Sequence, residues 1–162
     1  MEYEDLFESL WKENVRFLIC GGLAVNIYGI PRMTADIDLL IDFEKGNLLQ
    51  FENVLKRLSY QPVAPIPISA MEDEVTRNTL IKEKNMIAYS FFNSRSNYMT
   101  VDVLLNTPKT FQSMWEEREI RKIDSYEVFL VSIPTLIEMK TFANRKQDQD
   151  DVKLLSNLLN KK

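Results

Sequence analysis

Residues 17–42 read FLICGGLAVNIYGIPRMTADIDLLID, and the succession of residue types along them decides the fold. Phe17–Cys20 has the composition of the end of a buried strand, and Gly21-Gly22 interrupts it where Leu23–Gly29 takes up helical spacing. A helix starting at the glycine pair would turn free backbone N–H groups toward whatever precedes it. Glycines let a phosphate approach that backbone without Cβ interference, and the positive end of the helix dipole favours negative charge. Pro31 is expected to close the helix. Beyond it, Asp36-Ile37-Asp38-Leu39-Leu40-Ile41 has strand composition, and a period of two puts Asp36 and Asp38 on one face and Ile37 and Leu39 on the other. Two carboxylates so spaced can share a hard divalent cation. Asp42 lies on the same face, but at about 3.3 Å per residue it stands roughly 13 Å beyond Asp38, too far to join them.

Composition narrows the chemistry. A hydrophobic fraction of 45% over 162 residues indicates one globular domain spanning 1–162, with room for a real core. No apolar run approaches a membrane span and the first residues, MEYEDLFESLW, are acidic where a signal peptide would be basic, so a cytoplasmic protein is expected. The chain has no histidine and one cysteine, Cys20, which excludes the usual zinc sites and an internal disulfide. Any catalytic metal is then held by oxygen, which favours Mg²⁺ or Mn²⁺, and carboxylates must carry the acid–base work. A net charge of −4 argues against a long nucleic-acid partner but not against a short RNA end or an NTP brought in with Mg²⁺. Cys20, with no activating neighbour in sequence, reads as a small buried hydrophobe.

Taken in order, residues 3–13 form an amphipathic helix with Phe7 and Trp11 in the core, and residues 47–60 form a second. The segment QPVAPIPISAMEDE, with Pro62, Pro65 and Pro67, reads as an extended connection, and VTRNTLIKEK as a short helix. NMIAYSFF and YMTVDVLL read as strands joined by the loop NSRSN. The second contains Asp102 among Val101, Val103, Leu104 and Leu105. A carboxylate there needs either solvent or a cation, and the Asp36/Asp38 pair weights the choice toward a metal ligand. TPKTFQSMWEE is a helix with Thr107 or Pro108 at its start, and REIRKIDSYEVFLVS a hairpin turning at Asp124-Ser125. Residues 133–162 are helical throughout, with Pro134 in a first turn and Leu136, Ile137, Met139 and Phe142 directed inward.

Gly-Gly, a helix-length spacer and Asp-hydrophobic-Asp-hydrophobic together resemble the signature of the DNA polymerase beta-like nucleotidyltransferase superfamily. Arg32-x-Thr34-x-Asp36-Ile37-Asp38 is similar, more narrowly, to small stand-alone bacterial nucleotidyltransferase-like proteins related to abortive-infection toxins. Leu136-Ile137-x-x-Lys140, followed by Arg145-x-x-Asp148-x-x-Asp151-Val152, matches their C-terminal pattern, with Gln147 where they usually carry lysine. The resemblance implies an α/β nucleotidyltransferase fold: a small mixed sheet with helices on one side and C-terminal helices capping it. It implies catalysis by Asp36, Asp38 and Asp102 with Mg²⁺ bound to them, Asp102 corresponding to the superfamily's third carboxylate on a later strand. It also implies a triphosphate held at Gly21 and Gly22. Arg32 and Thr34, in the turn before the aspartates, join the expected nucleotide-binding set, although Arg32 would equally suit neutralising the acidic cluster. Lys140 has two readings, a phosphate-binding cation and a helix-surface lysine. Asp148 and Asp151 read as helix-start residues complementing the dipole, with Arg145 able to pair with either. The reaction implied is transfer of an NMP from an NTP to an acceptor hydroxyl on a protein, a tRNA end or a small molecule. The rival reading is a non-catalytic nucleotide-binding or toxin–antitoxin partner protein of the same fold.

Overall fold

The computed structural model describes residues 3–95 and 100–161. Tyr98 and Met99 of the expected second strand, with part of the loop before it, lie outside the described residues. The chain runs α1 (Glu4–Lys12), β1 (Phe17–Cys20), α2 (Gly21–Ile27), β2 (Asp36–Ile41), α3 (Lys45–Arg57), β3 (Tyr60–Pro62), α4 (Glu74–Lys84), β4 (Ala88–Asn93), β5 (Thr100–Leu104), α5 (Phe111–Glu116), β6 (Glu119–Ile123), β7 (Tyr126–Leu130), α6 (Ile133–Ala143) and α7 (Lys146–Asn160). The strands form one seven-stranded mixed sheet in the order β3-β4-β5-β2-β1-β7-β6. β2, the strand of the two aspartates, is its central member, parallel to β5 and antiparallel to β1.

Paired residues point to the same face of a sheet, so the register sorts the side chains. Phe17 pairs with Ile41, Ile19 with Leu39, Ile37 with Val101, and Leu39 with Val103, giving one wholly apolar face. Two helices cover it: Phe7 of α1 stacks on Phe17 at 5.8 Å, and Phe51 of α3 meets Phe91 of β4 edge-on at 5.8 Å. All four rings are buried, and each contributes about 1.5–3 kcal/mol by leaving water. The opposite face carries Cys20, Asp38, Asp102 and Ser90, and α6 lies over it. Helices therefore pack on both faces rather than one, because β2 and β5 bury apolar side chains on one side and need cover for their carboxylates on the other.

Several element ends differ from expectation for local reasons. α2 stops at Ile27, before Pro31, because Gly29 takes a φ of +100° and the Asn26 side chain accepts a hydrogen bond from the Arg32 N–H at 2.9 Å. α3 starts at Lys45, where the Glu44 carboxylate caps Gly46 and Asn47. It ends at Arg57, since Ser59 at φ +69° redirects the chain into edge strand β3. The proline segment thus contains β3, with Pro62 at its end, and a short 3-10 helix at Ile68–Glu72. α5 begins at Phe111, capped by Thr110 rather than started at Thr107 or Pro108. The hairpin turns at Asp124-Ser125 as expected, with Asp124 at φ +49°. In α6, Ser132 caps the first turn, which holds Pro134, and Leu136 is buried. Phe142, expected inward, is 72% exposed. Among the described residues no helix is long and apolar enough to cross a membrane.

Candidate active site

Cys20, Asp38, Asp102 and Ser90 form a row across the four adjacent strands β1, β2, β5 and β4, each in register with the next. Asp36 stands two residues before Asp38 on the same face, exposed at the start of β2. The row follows from sequence at each strand, but only the parallel β2–β5 register brings Asp102 beside Asp38. Gly21, Asp36, Asp38, Asp102 and Lys140 line a single cleft of about 440 Å³. Arg145 and Asp148 join its wall, as do Leu136 and Met139 of α6.

The electrostatics of this row are unfavourable to its own charges. Burial pushes Asp38 up to about 6, repulsion from Asp102 and Asp36 adds to the shift, and Arg145 and Lys140 only partly offset it. Asp102 is raised by burial too, against a hydrogen bond from Ser90 and with Asp36 adding to the rise. Its Oδ1 is buried and has no hydrogen-bond partner. An acceptor atom left so is costly, and a cation or donor that satisfied it would recover that cost. Three carboxylates with an orphaned oxygen make a donor set suited to a hard divalent ion. Among the described residues no three His, Cys, Asp or Glu side chains close into a cage around one point. Cys20, at the β1 end of this row, is fully buried, its thiol pushed well up by burial and by Asp38, consistent with a packing role.

The other expected residues are grouped around a chain of alternating charges. Arg32 pairs with Asp151 of α7, Asp151 with Lys140 at 2.8 Å, Lys140 with Asp148 at 3.3 Å, and Asp148 with Arg145 at 2.9 Å. Arg32 thus neutralises an acid on α7 rather than the Asp36/Asp38 cluster. Lys140 is not a surface lysine: it is buried between two carboxylates and its side chain borders the cleft. Asp148 and Asp151 are likewise buried, where the sequence suggested ordinary helix-start acids. Asp148 also completes a capping box, accepting from the Arg145 backbone N–H at 3.1 Å. Burial raises Asp148, but these hydrogen bonds and Lys140 outweigh it and hold its pKa below the ordinary carboxylate value.

The glycine pair is required by the chain's own side chains. Gly21 sits at φ +62°, and a Cβ there would lie 2.1 Å from Asp38 Oδ2. A Cβ on Gly22 would lie 2.9 Å from Thr34 Oγ1 and 3.1 Å from the Arg32 guanidinium carbon. Gly22, Thr34 and Arg32 therefore pack on one another, and they are not among the residues that line the cleft. Thr34 Oγ1 donates to the Asp36 carbonyl at 3.2 Å, which fixes the entry to β2. Sequence reasoning missed Ser90, Asn106, Ile87 and Phe142 as parts of the site. The period-two alternation of Ala88 and Ser90 against Tyr89 and Phe91 was the available signal for Ser90.

Comparison with solved structures defines the class of fold. A crystal structure of ANT(2″)-Ia in complex with adenylyl-2″-tobramycin matches with a TM-score of 0.60 at 12% identity, over 98% of this chain and 87% of that one. The lincosamide antibiotic adenylyltransferase LnuA, lincomycin-bound, matches at 0.57 and 16% identity, over 94% and 90%. An antigenic nucleotidyltransferase-like protein from Paracoccidioides brasiliensis matches at 0.57 and 19%, over 94% and 72%. The fold is that of the nucleotidyltransferases. A comparison with curated proteins finds no match. The family model "Nucleotidyl transferase AbiEii toxin, Type IV TA system" matches residues 4–153, and the chain belongs to that family. By that membership it is an enzyme of the nucleotidyltransferase class.

Proposed function

We propose that the chain transfers a nucleoside monophosphate from an NTP to an acceptor hydroxyl, with Mg²⁺ or Mn²⁺ held by Asp36, Asp38 and Asp102. The observation carrying this reading is the Asp38–Asp102 register on the two central parallel strands, with Asp102 Oδ1 orphaned in a cleft that also presents Lys140 and Arg145. When bound there, a divalent cation would neutralise the triphosphate and stabilise charge on the entering and leaving oxygens. Gly21 offers backbone to the phosphates, and Lys140 and Arg145 supply the positive wall that orients them. Gly22, Thr34 and Arg32 serve nucleotide binding by fixing the turn that aims Asp36 and Gly21 at the cleft. Asp102 takes the proton from the acceptor hydroxyl; its burial makes it a stronger base than an exposed aspartate. The acceptor oxygen bonds to the α-phosphorus, the bond to the bridging oxygen breaks in line, and pyrophosphate leaves. The whole of 1–162 acts as one domain, with 133–162 supplying the cationic wall.

The family designation supports a toxin–antitoxin setting with an antitoxin partner protein, and NTP use supports a cytoplasmic one. The adenylyl-tobramycin and lincomycin complexes of the structural neighbours support a small-molecule hydroxyl as one acceptor class, beside a tRNA end and a protein side chain. The test is incubation with each α-³²P NTP, Mg²⁺ and cell extract, followed by separation of label into protein, RNA and small-molecule fractions. Wild type should label one fraction, and the Asp36→Asn, Asp38→Asn double variant none. Equal labelling by both proteins would sink the proposal, and labelling by neither would leave a nucleotide-binding partner protein.

A further inference from the structure

Asp102 stands between two unlike neighbours. On one side the β2 register sets it opposite Asp38, and on the other the β4 register sets it opposite Ser90. The Ser90 pairing is of the closer kind. The Ile87 carbonyl accepts the Leu105 N–H at 2.9 Å, so by the alternation of an antiparallel ladder Ala88–Leu104 and Ser90–Asp102 are the pairs without backbone hydrogen bonds between them. In such pairs the Cα atoms approach to about 4.5 Å and the side chains stand nearest each other. The Ser90 backbone agrees, since its carbonyl turns away from β5 and accepts the Val63 N–H at 2.9 Å. Tyr89 and Phe91, buried on the opposite face, hold this stretch of β4 in the core.

The two carboxylate oxygens of Asp102 therefore differ. The Ser90 hydroxyl donates to the carboxylate and Oδ1 is buried without a partner, so Oδ2 is the accepting atom. Asp102 lines the cleft, whereas Ser90 is not among the residues that do. Rotation about the last bond of an aspartate is loosely restrained, so the plane of the carboxylate is set by its partners rather than by the side chain itself. Resting on the reading of the cleft as a nucleotidyl-transfer site, we infer that Ser90 is a positioning residue: its hydroxyl anchors Asp102 Oδ2 to β4 and so keeps Oδ1 free for the cation and the acceptor proton. A neutral donor fixes that plane without cancelling the charge, which a lysine or arginine at the same place would do.

Ser90→Thr and Ser90→Val test this, because the two side chains share one shape and differ in the hydroxyl, and both suit a strand. In single-turnover label transfer by the full chain, Ser90→Val should be slower than wild type by on the order of tenfold, the scale of one hydrogen bond to a charged group. Ser90→Thr should recover most of that loss, and Ser90→Ala, which removes only the hydroxyl oxygen, should match Ser90→Val. Mg·NTP affinity by calorimetry should be alike in all of them, and circular dichroism checks the fold. Placed on Asp102→Asn, Ser90→Val should add little, because its effect runs through the carboxylate. Metal-free protein carrying ¹³C at the aspartate Cγ supplies a readout apart from activity. At fixed pH, Ser90→Val should move the signal that Asp102→Asn removes, and Ser90→Thr should leave it near its wild-type position. Equal rates in the Thr and Val variants, a full tenfold loss added to Asp102→Asn, or an unmoved Asp102 signal would overturn the positioning role while leaving the transfer reading intact. Absence of transfer by wild type would overturn both.

Discussion

Two groups of aspartates, at and beside one cleft, are treated in opposite ways. Asp148 and Asp151 are almost fully buried, and each is paired with two cations in the alternating chain from Arg32 to Arg145. Asp38 and Asp102, on the sheet face that α6 covers, are only half-buried, and face mainly each other and Asp36. The pKa directions follow: Asp148 is held down, while Asp38 is pushed up to about 6 and Asp102 is raised. Buried carboxylates with internal partners are structural staples; buried carboxylates without them store unfavourable energy that a ligand can release. The difference separates the residues that attach the C-terminal helices to the turn before β2 from those we propose to hold an ion.

The comparison breaks most visibly at Asp151. Asp151→Ala leaves Arg32 without its partner and Lys140 with one carboxylate instead of two, so urea denaturation should show a loss of about 3–5 kcal/mol. A loss below 1 kcal/mol would mean that the ion chain does not anchor α7. On the other side, Asp102→Asn should leave folding and Mg·NTP affinity near wild type while label transfer in single-turnover assays falls roughly a hundredfold or more, equal to about 3 kcal/mol of barrier. An unchanged transfer rate would place Asp102 among the structural carboxylates.

A third test uses the sign of the Asp38 shift. Its folded pKa lies above the unfolded value of 3.8, so the native state holds the proton longer. Stability is therefore lost as pH rises from about 4 through about 6, and the penalty is complete above that. In EDTA, Asp38→Asn should be more stable than wild type at pH 7.5, by at most roughly 3 kcal/mol, with the gap closing toward pH 4. Mg²⁺ should raise the melting temperature of wild type more than that of the variant. Parallel pH profiles for the two proteins would show that Asp38 is no less compensated than Asp148. The smallest effect belongs to Arg145, whose side chain is 80% exposed. Arg145→Ala should cost less than about 1 kcal/mol, because Lys140 and the residue 145 backbone N–H still hold Asp148. A larger loss, again by urea denaturation, would show that the chain needs both of its ends.

Local pattern made much of this protein legible from its residues. The strand at Phe17–Cys20, the break at Gly21-Gly22, the strand at Asp36–Ile41 and the Asp124-Ser125 hairpin all lie where period and turn chemistry put them. These features depend on neighbours within a few positions, which is the range over which backbone preference and side-chain alternation act. The nucleotidyltransferase fold was legible for the same reason: its signature is one local strand–helix–strand unit.

Contacts between distant segments were not legible. That Asp102 stands opposite Asp38 rather than one residue out of phase is set by the β2–β5 register, which depends on burying Val101 and Val103 beside Ile37 and Leu39. Along α6, period alone left Lys140 as surface or phosphate ligand and put Phe142 in the core; the structure buries the lysine and exposes the ring. Periodicity states which side chains share a face of a helix. Only the packed neighbours decide whether that face meets the core, a pair of carboxylates or an open cleft, and here α7 brings Asp148 and Asp151 to Lys140 and leaves Phe142 at the rim.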